Sequence, residues 1–199
     1  MDPVRIWHTD HKRFIRLLDY LQNELAAFHA GGDPNYQLMH DAVYYLHHYA
    51  DLYHHPREDV AFGLLVRHDP GFGDLVNRLK QEHRAISESG ATLLGLLELV
   101  LEDTIIARSK VEAAAALYIL YLRSHINTED HEILPRVGQI LTYGDWGQVA
   151  AAGPVGADPL FGDDPLLRFR NLREWIDRDD VSASVVSSGV PVSPLAAET

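Results

Sequence analysis

Leu52-Tyr-His-His-Pro-Arg-Glu-Asp59 and Ser124-His-Ile-Asn-Thr-Glu-Asp130 decide the reading of this chain, because each places a carboxylate four residues after a histidine: Glu58 after His54, and Glu129 after His125. At 3.6 residues per turn, positions i and i+4 share one helix face about 6 Å apart, close enough for both side chains to serve one metal centre. One such pair is ordinarily a surface hydrogen bond. Two of them on separate helices call for a common explanation.

Outward from these segments the apolar spacing is helical throughout. Ile15, Leu18, Leu21 and Leu25 define a first helix from about Ile6 to Ala30, stopped by Gly31-Gly32. Asp33-Pro34 reads as an N-cap followed by proline at the first helical position, opening a second helix that ends at Asp69-Pro70-Gly71. A third, from about Gly73 to Glu102, carries Leu75, Leu79, Ile86, Leu93 and Leu97. A fourth, from about Ser109 to Leu141, starts with a Ser109-x-x-Glu112 capping box. No period-2 stretch bounded by turn residues occurs. The expected architecture is all-α: an antiparallel up-down-up-down four-helix bundle over residues 1–142. Residues 143–199 are expected to be an irregular C-terminal extension, with a Gly153-Pro154-Val155-Gly156 linker, one short helix over Pro165 to Asp177 and little regular structure from Asp179 onward.

The first and third helices add His11 and His83. His11 shares a face with Leu18 and Leu25, His83 with Leu79 and Ile86, and His125 follows Tyr118 and Leu122. Imidazoles on apolar faces are costly to bury without partners, and a metal supplies them. One histidine on an apolar face is ordinarily a satisfied core residue, but two His-Glu pairs plus one imidazole on each remaining helix form a ligand set. The expected ligands are His11, His54, Glu58, His83, His125 and Glu129, with Asp130 competing with Glu129. Six side chains exceed the four that zinc takes, and two glutamates able to bridge favour a two-ion centre. Octahedral iron is the expected occupant, with manganese or a mixed pair left open.

Of the 12 histidines, His8, His47, His55 and His131 neighbour the site in sequence, leaving an extra ligand open, and His29, His40, His48 and His68 are expected at the surface. Tyr118 and Asp51 are candidates to orient a ligand, and Pro56 should bend the second helix and help aim Glu58.

Composition narrows the classes. The chain has 199 residues, no cysteine and a net charge of -12. Absence of cysteine excludes disulfides, thiolate metal sites and a Cys nucleophile. The acidic balance argues against non-specific binding to nucleic acid or to anionic membrane. No secretory h-region and no 18-residue apolar run is visible, so the expected location is cytoplasmic.

The combined pattern resembles the hemerythrin-like family, the HHE cation-binding domains. Tyr53-His-His-Pro-Arg-Glu-Asp59 is similar to the family's second-helix motif, and His125-x-x-x-Glu129-Asp130 before Ile133-Leu134-Pro135 is similar to its fourth. The resemblance covers residues 6–141. It implies a carboxylate-bridged di-iron centre with His11, His54, His83 and His125 as terminal ligands, Glu58 and Glu129 as bridges, and an oxide or hydroxide between the two iron ions. Oxygen-carrying members have a second histidine beside the one on helix three, where this chain has Leu79 and Ser87. Four imidazoles, two bridging carboxylates and an oxide fill about ten of roughly twelve positions on two octahedral ions, leaving about one open per iron. That openness suits redox work on oxygen, peroxide or nitric oxide in stress handling more than protected carriage. A carrier or sensor of oxygen or nitric oxide, and an iron-donating protein, are the alternatives. Repair-type members carry a Cys-containing N-terminal domain that this sequence lacks, which lowers the iron-donating reading. The expected partner is a small diatomic or peroxide ligand, and a homodimer is left open.

Overall fold

The computed structural model describes residues 3–154 and 158–187, and every regular element among them is helical. Helix α1 spans Pro3–His29. It ends because Gly31, at φ 90°, adopts the left-handed conformation that glycine tolerates. The Gly31 and Gly32 amides then donate to the Phe28 and Ala27 carbonyls at 3.0 and 2.9 Å. Helix α2 spans Tyr36–Tyr49, and its cap is Asn35, whose side chain accepts from the Leu38 amide at 3.0 Å. The expected cap, Asp33, stands two residues too early. Asn35 is fixed in the capping position by its own amide, which donates to Glu24 at 2.8 Å.

Helix α3 spans His55–His68, α4 Gly73–Leu101, α5 Arg108–Thr128 and α6 Leu134–Ile140. The expected Ser109 capping box is not formed: α5 starts after Ala107 with no side-chain cap. Glu112 faces Arg108 (3.5 Å) and His29 (3.7 Å) instead, and the Arg108 guanidinium sits over Phe28 at 3.8 Å.

Helix two of the bundle, α2 plus α3, is joined by a widened π-helical turn at Ala50–His54, and helix four, α5 plus α6, by another at Glu129–Ile133. Each lies directly before a proline, Pro56 or Pro135. A proline inside a helix cannot donate to the carbonyl four residues back and crowds it. The chain responds with a wider turn: the His55 amide donates to the Ala50 carbonyl and the Leu134 amide to that of Glu129.

Contacts between neighbouring helices run in opposite senses along each pair. Phe28–Tyr36, Phe14–Tyr49 and Asp10–His54 link helices one and two. His40–Glu98, Asp51–Ser87 and Asp59–His83 link two and three. His29–Glu112, Asp19–Arg123 and His11–Asp130 link one and four. The bundle is therefore antiparallel. One end of its core holds Phe14, Leu18, Leu21, Val43, Leu93 and Leu122, and the other holds Trp7, Phe62, Leu65, Leu79, Ile133 and Val137. The polar residues of interest form the layer between.

Helix α7, Tyr143–Ala150, opens with a capping box between Thr142 and Asp145 and places Val149 in the second core cluster. The chain forms two compact units, Met1–Ala157 and Asp158–Thr199. In the second unit Asp158 accepts from the Leu160 and Phe161 amides at 2.9 and 2.8 Å, and helix α8 spans Arg170–Ser187. That helix starts later and runs further than the expected Pro165–Asp177 segment. Residues 155–157 of the expected linker and 188–199 of the expected tail lie outside the described residues. No described helix is long and apolar enough to cross a membrane.

Candidate metal centre

The six sequence-predicted residues converge. His11, His54, Glu58, His83, His125 and Glu129 are all buried. His54 Nε2 lies 3.0 Å from His11 Nε2 and 3.0 Å from Glu58 Oε1. On the other side, His125 Nε2 is 3.0 Å and His83 Nε2 3.5 Å from Glu129 Oε1. Glu58 also approaches His11 (3.5 Å) and His83 (3.8 Å), while Glu129 approaches His11 at 3.4 Å. Each glutamate thus faces histidines of both halves.

The outer nitrogens of the four imidazoles are held by carboxylates. His11 Nδ1 donates to Asp130 (2.7 Å), His54 Nδ1 to Asp10 (3.3 Å), His83 Nδ1 to Asp59 (3.1 Å) and His125 Nδ1 to Glu82 (2.9 Å). Every link passes from one helix to the next, from α1 to helix two, to α4, to helix four and back to α1, so the ring closes. A carboxylate accepting from Nδ1–H fixes the tautomer and leaves the Nε2 lone pair facing inward, as in carboxylate–histidine–metal arrangements.

The donor set fits a metal on an internal observation. Both oxygens of Glu58, both of Glu129, and Nε2 of His83 and His125 are buried without a hydrogen-bond partner. Two buried carboxylates in one layer, approached only as near as 3.0 Å by imidazoles, are costly to keep together, and a cation between them and the inward imidazoles lowers that cost. Among the described residues three groups have spacings that could hold an ion: His11, His54 and Glu58, and His55, Glu58, His83 and His125, which share Glu58, and His8, His11 and Asp130 on the outer side.

Electrostatics within the layer are strong. Burial by itself would lower the His11 pKa, but Asp130, Glu58 and Glu129 outweigh it and raise it to about 10. His83 likewise rises to about 10 through Asp59, Glu129 and Glu58, and His125 to about 9 through Glu129 and Glu82. Burial and Glu58 push the Glu129 carboxyl up, yet His125 and His83 bring it down to about 2.

The geometry separates Glu129 from Asp130: Glu129 points into the layer, whereas Asp130 bridges His11 and the half-exposed His8 from outside. Asp51, a candidate to orient a ligand, accepts from Ser87 (2.5 Å) and pairs with His55 (3.3 Å) and His47 (3.2 Å). His40, expected at the surface, is buried between Tyr44 and Glu98. Tyr118 is fully buried, with its hydroxyl unpartnered. Two clefts reach the layer. One, about 430 Å³, is lined by Lys80, Arg84, Ser87 and the His55 and His83 rings; the other, about 260 Å³, by Trp7, Tyr49, Tyr53, Trp146 and His54.

Sequence reasoning missed the supporting role of the four carboxylates, Asp130 being weighed only as a ligand in place of Glu129. Their signal was present: Asp10, Asp59, Glu82 and Asp130 each directly adjoin a predicted ligand, namely His11, Glu58, His83 and Glu129.

The family model for the hemerythrin HHE cation binding domain matches residues 2–137. Among curated proteins none matches the chain.

Proposed function

Because the chain belongs to the hemerythrin HHE cation-binding family, we propose that its bundle holds two iron ions, bridged by oxide or hydroxide, and handles oxygen, peroxide or nitric oxide. In this reading His11 and His54 serve one ion, His83 and His125 the other, and Glu58 and Glu129 span both. The observation that carries it is the pairing of four carboxylate-anchored imidazoles with two buried glutamates that face imidazoles of both halves.

When bound, an iron pair supplies one- and two-electron chemistry toward small oxygen and nitrogen species. The chain's own residues do the rest. Asp10, Asp59, Glu82 and Asp130 hold the rings as Nδ1–H tautomers, so the inward donors are set before any ion arrives. Phe14, edge-on to His54 at 5.0 Å between centroids, and Phe62 beside His83 pack against the rings and hold them in place. The clefts that reach the layer at His83 and at His54 give a small molecule access to it, which favours turnover over protected carriage.

The test is metal analysis of the purified protein with its absorption spectrum under oxygen, peroxide and nitric oxide. Two irons per chain with near-ultraviolet charge-transfer bands are expected, and Glu58→Ala and His125→Ala should each lower iron content. One zinc per chain, or unchanged iron in both variants, overturns the proposal. Peroxide consumption separates the redox reading from repeatedly reversible oxygen binding, which would favour a carrier.

A further inference from the structure

We propose that His55 is a fifth imidazole ligand, completing the coordination of the ion held by His83 and His125; this rests on the two-ion reading above. His55 is buried. It has the same outer support as the four histidines already described, its Nδ1 facing the Asp51 carboxylate at 3.3 Å. Asp51 is in turn fixed by the Ser87 hydroxyl at 2.5 Å and by His47 at 3.2 Å. With Nδ1 committed to Asp51, the other ring nitrogen is the free donor.

A ring nitrogen of His55 is in range. Ligand atoms of His55, Glu58, His83 and His125 lie within 4.8 Å of one another. Donors about 2.1 Å from a shared octahedral ion stand roughly 3 to 4.2 Å apart, so the spacing of the group is near that of a shared ion. The His55 ring stacks on that of His83, with centroids 4.1 Å apart and planes 16° from parallel. Both imidazoles therefore reach one ion only when one turns about its Cβ–Cγ bond and the stack opens.

The backbone explains how adjacent histidines serve different ions. In a regular helix they would diverge by about 100° and one would leave the interior. Here the widened turn Ala50–His54 ends between them. His54 meets His11 at 3.0 Å, while His55 faces His83 and lies 5.9 Å from the His125 ring. The imidazole missing from helix three, where Leu79 belongs to the apolar core and Ser87 holds Asp51, is thereby supplied from helix two. The centre then has five imidazoles, and its remaining open position falls on the His11–His54 side, at the aromatic cleft.

Anaerobic titration of the metal-stripped full chain with ferrous iron tests this. His55→Gln, which keeps size and polarity, and His55→Gly are compared with the parent, with circular dichroism confirming the fold. The parent should bind two ions. Both variants should bind the first with parental affinity and the second at least about ten times more weakly, and added imidazole should restore the second ion to His55→Gly. Parental affinity for both ions in both variants overturns the assignment. So does equal weakening of both ions, or a loss that imidazole does not rescue, since either gives His55 a packing role. A parent that binds fewer than two ions overturns the two-ion reading and the proposal with it.

Discussion

Each histidine of the central layer uses one nitrogen on a carboxylate of the next helix and turns the other toward Glu58 or Glu129. Without metal, protons take the position of the cations. His11 and His83 then titrate near 10 and His125 near 9, against an ordinary 6.5, so their contribution to stability is complete below 6.5 and is lost as pH rises through 9 to 10. His55 works in the opposite direction. Burial and the neighbouring His83 lower it to about 4, so stability falls as pH drops from 6.5 toward 4. The metal-stripped protein should therefore melt at its highest temperature near pH 6.5 and progressively lower toward pH 10, as followed by circular dichroism. A flat profile over that alkaline range would contradict the arrangement. The inward residues were readable because the i,i+4 pairs and the apolar faces that carry His11 and His83 are local patterns. The carboxylates that hold them were not, since pairing Asp130 with His11 depends on helix register across 119 positions of chain.

At the scale of elements, prolines and wide turns come together twice, at Ala50–His54 with Pro56 and at Glu129–Ile133 with Pro135. A bend at Pro56 could be foreseen from proline's missing donor. Its form, and its repetition in helix four, could not, because a proline can be accommodated by a kink, a break or an inserted residue. Helix caps failed for a related reason. Ser109 and Asp33 have suitable side chains, but Glu112 is drawn to Arg108 and His29, and the cap of α2 is Asn35. Pro56→Ala removes the clash that sustains the first wide turn. Relaxation to a regular helix would rotate Glu58 relative to His54, so iron content should fall. Stability of the metal-free protein should change by less than about 1 kcal/mol, since the substitution sits at a helix start. Full iron occupancy in this variant would show that the turn is held by the metal layer instead.

Over the whole molecule, all six proposed ligands, His55 and the four supporting carboxylates fall within the unit Met1–Ala157. A chain ending at Ala157 should keep the parent's iron content and absorption spectrum, as measured by metal analysis after purification, and loss of iron would assign Asp158–Thr199 a part in the site. Bundle class and antiparallel order were legible because four apolar stripes were separated by short polar turns. Helix α7 was not, because Gly144 and Gly147 interrupt the pattern and its Thr142–Asp145 box lacks the usual glutamate. The closed circuit of carboxylate links has a further consequence. A one-residue slip of any helix would break two links together, one that it offers and one that it receives, and the last link joins residues 119 positions apart in sequence. Misregistered chains that collapse and are helical would present no complete donor set, so on the proposed two-ion reading metal uptake would favour the correctly threaded bundle.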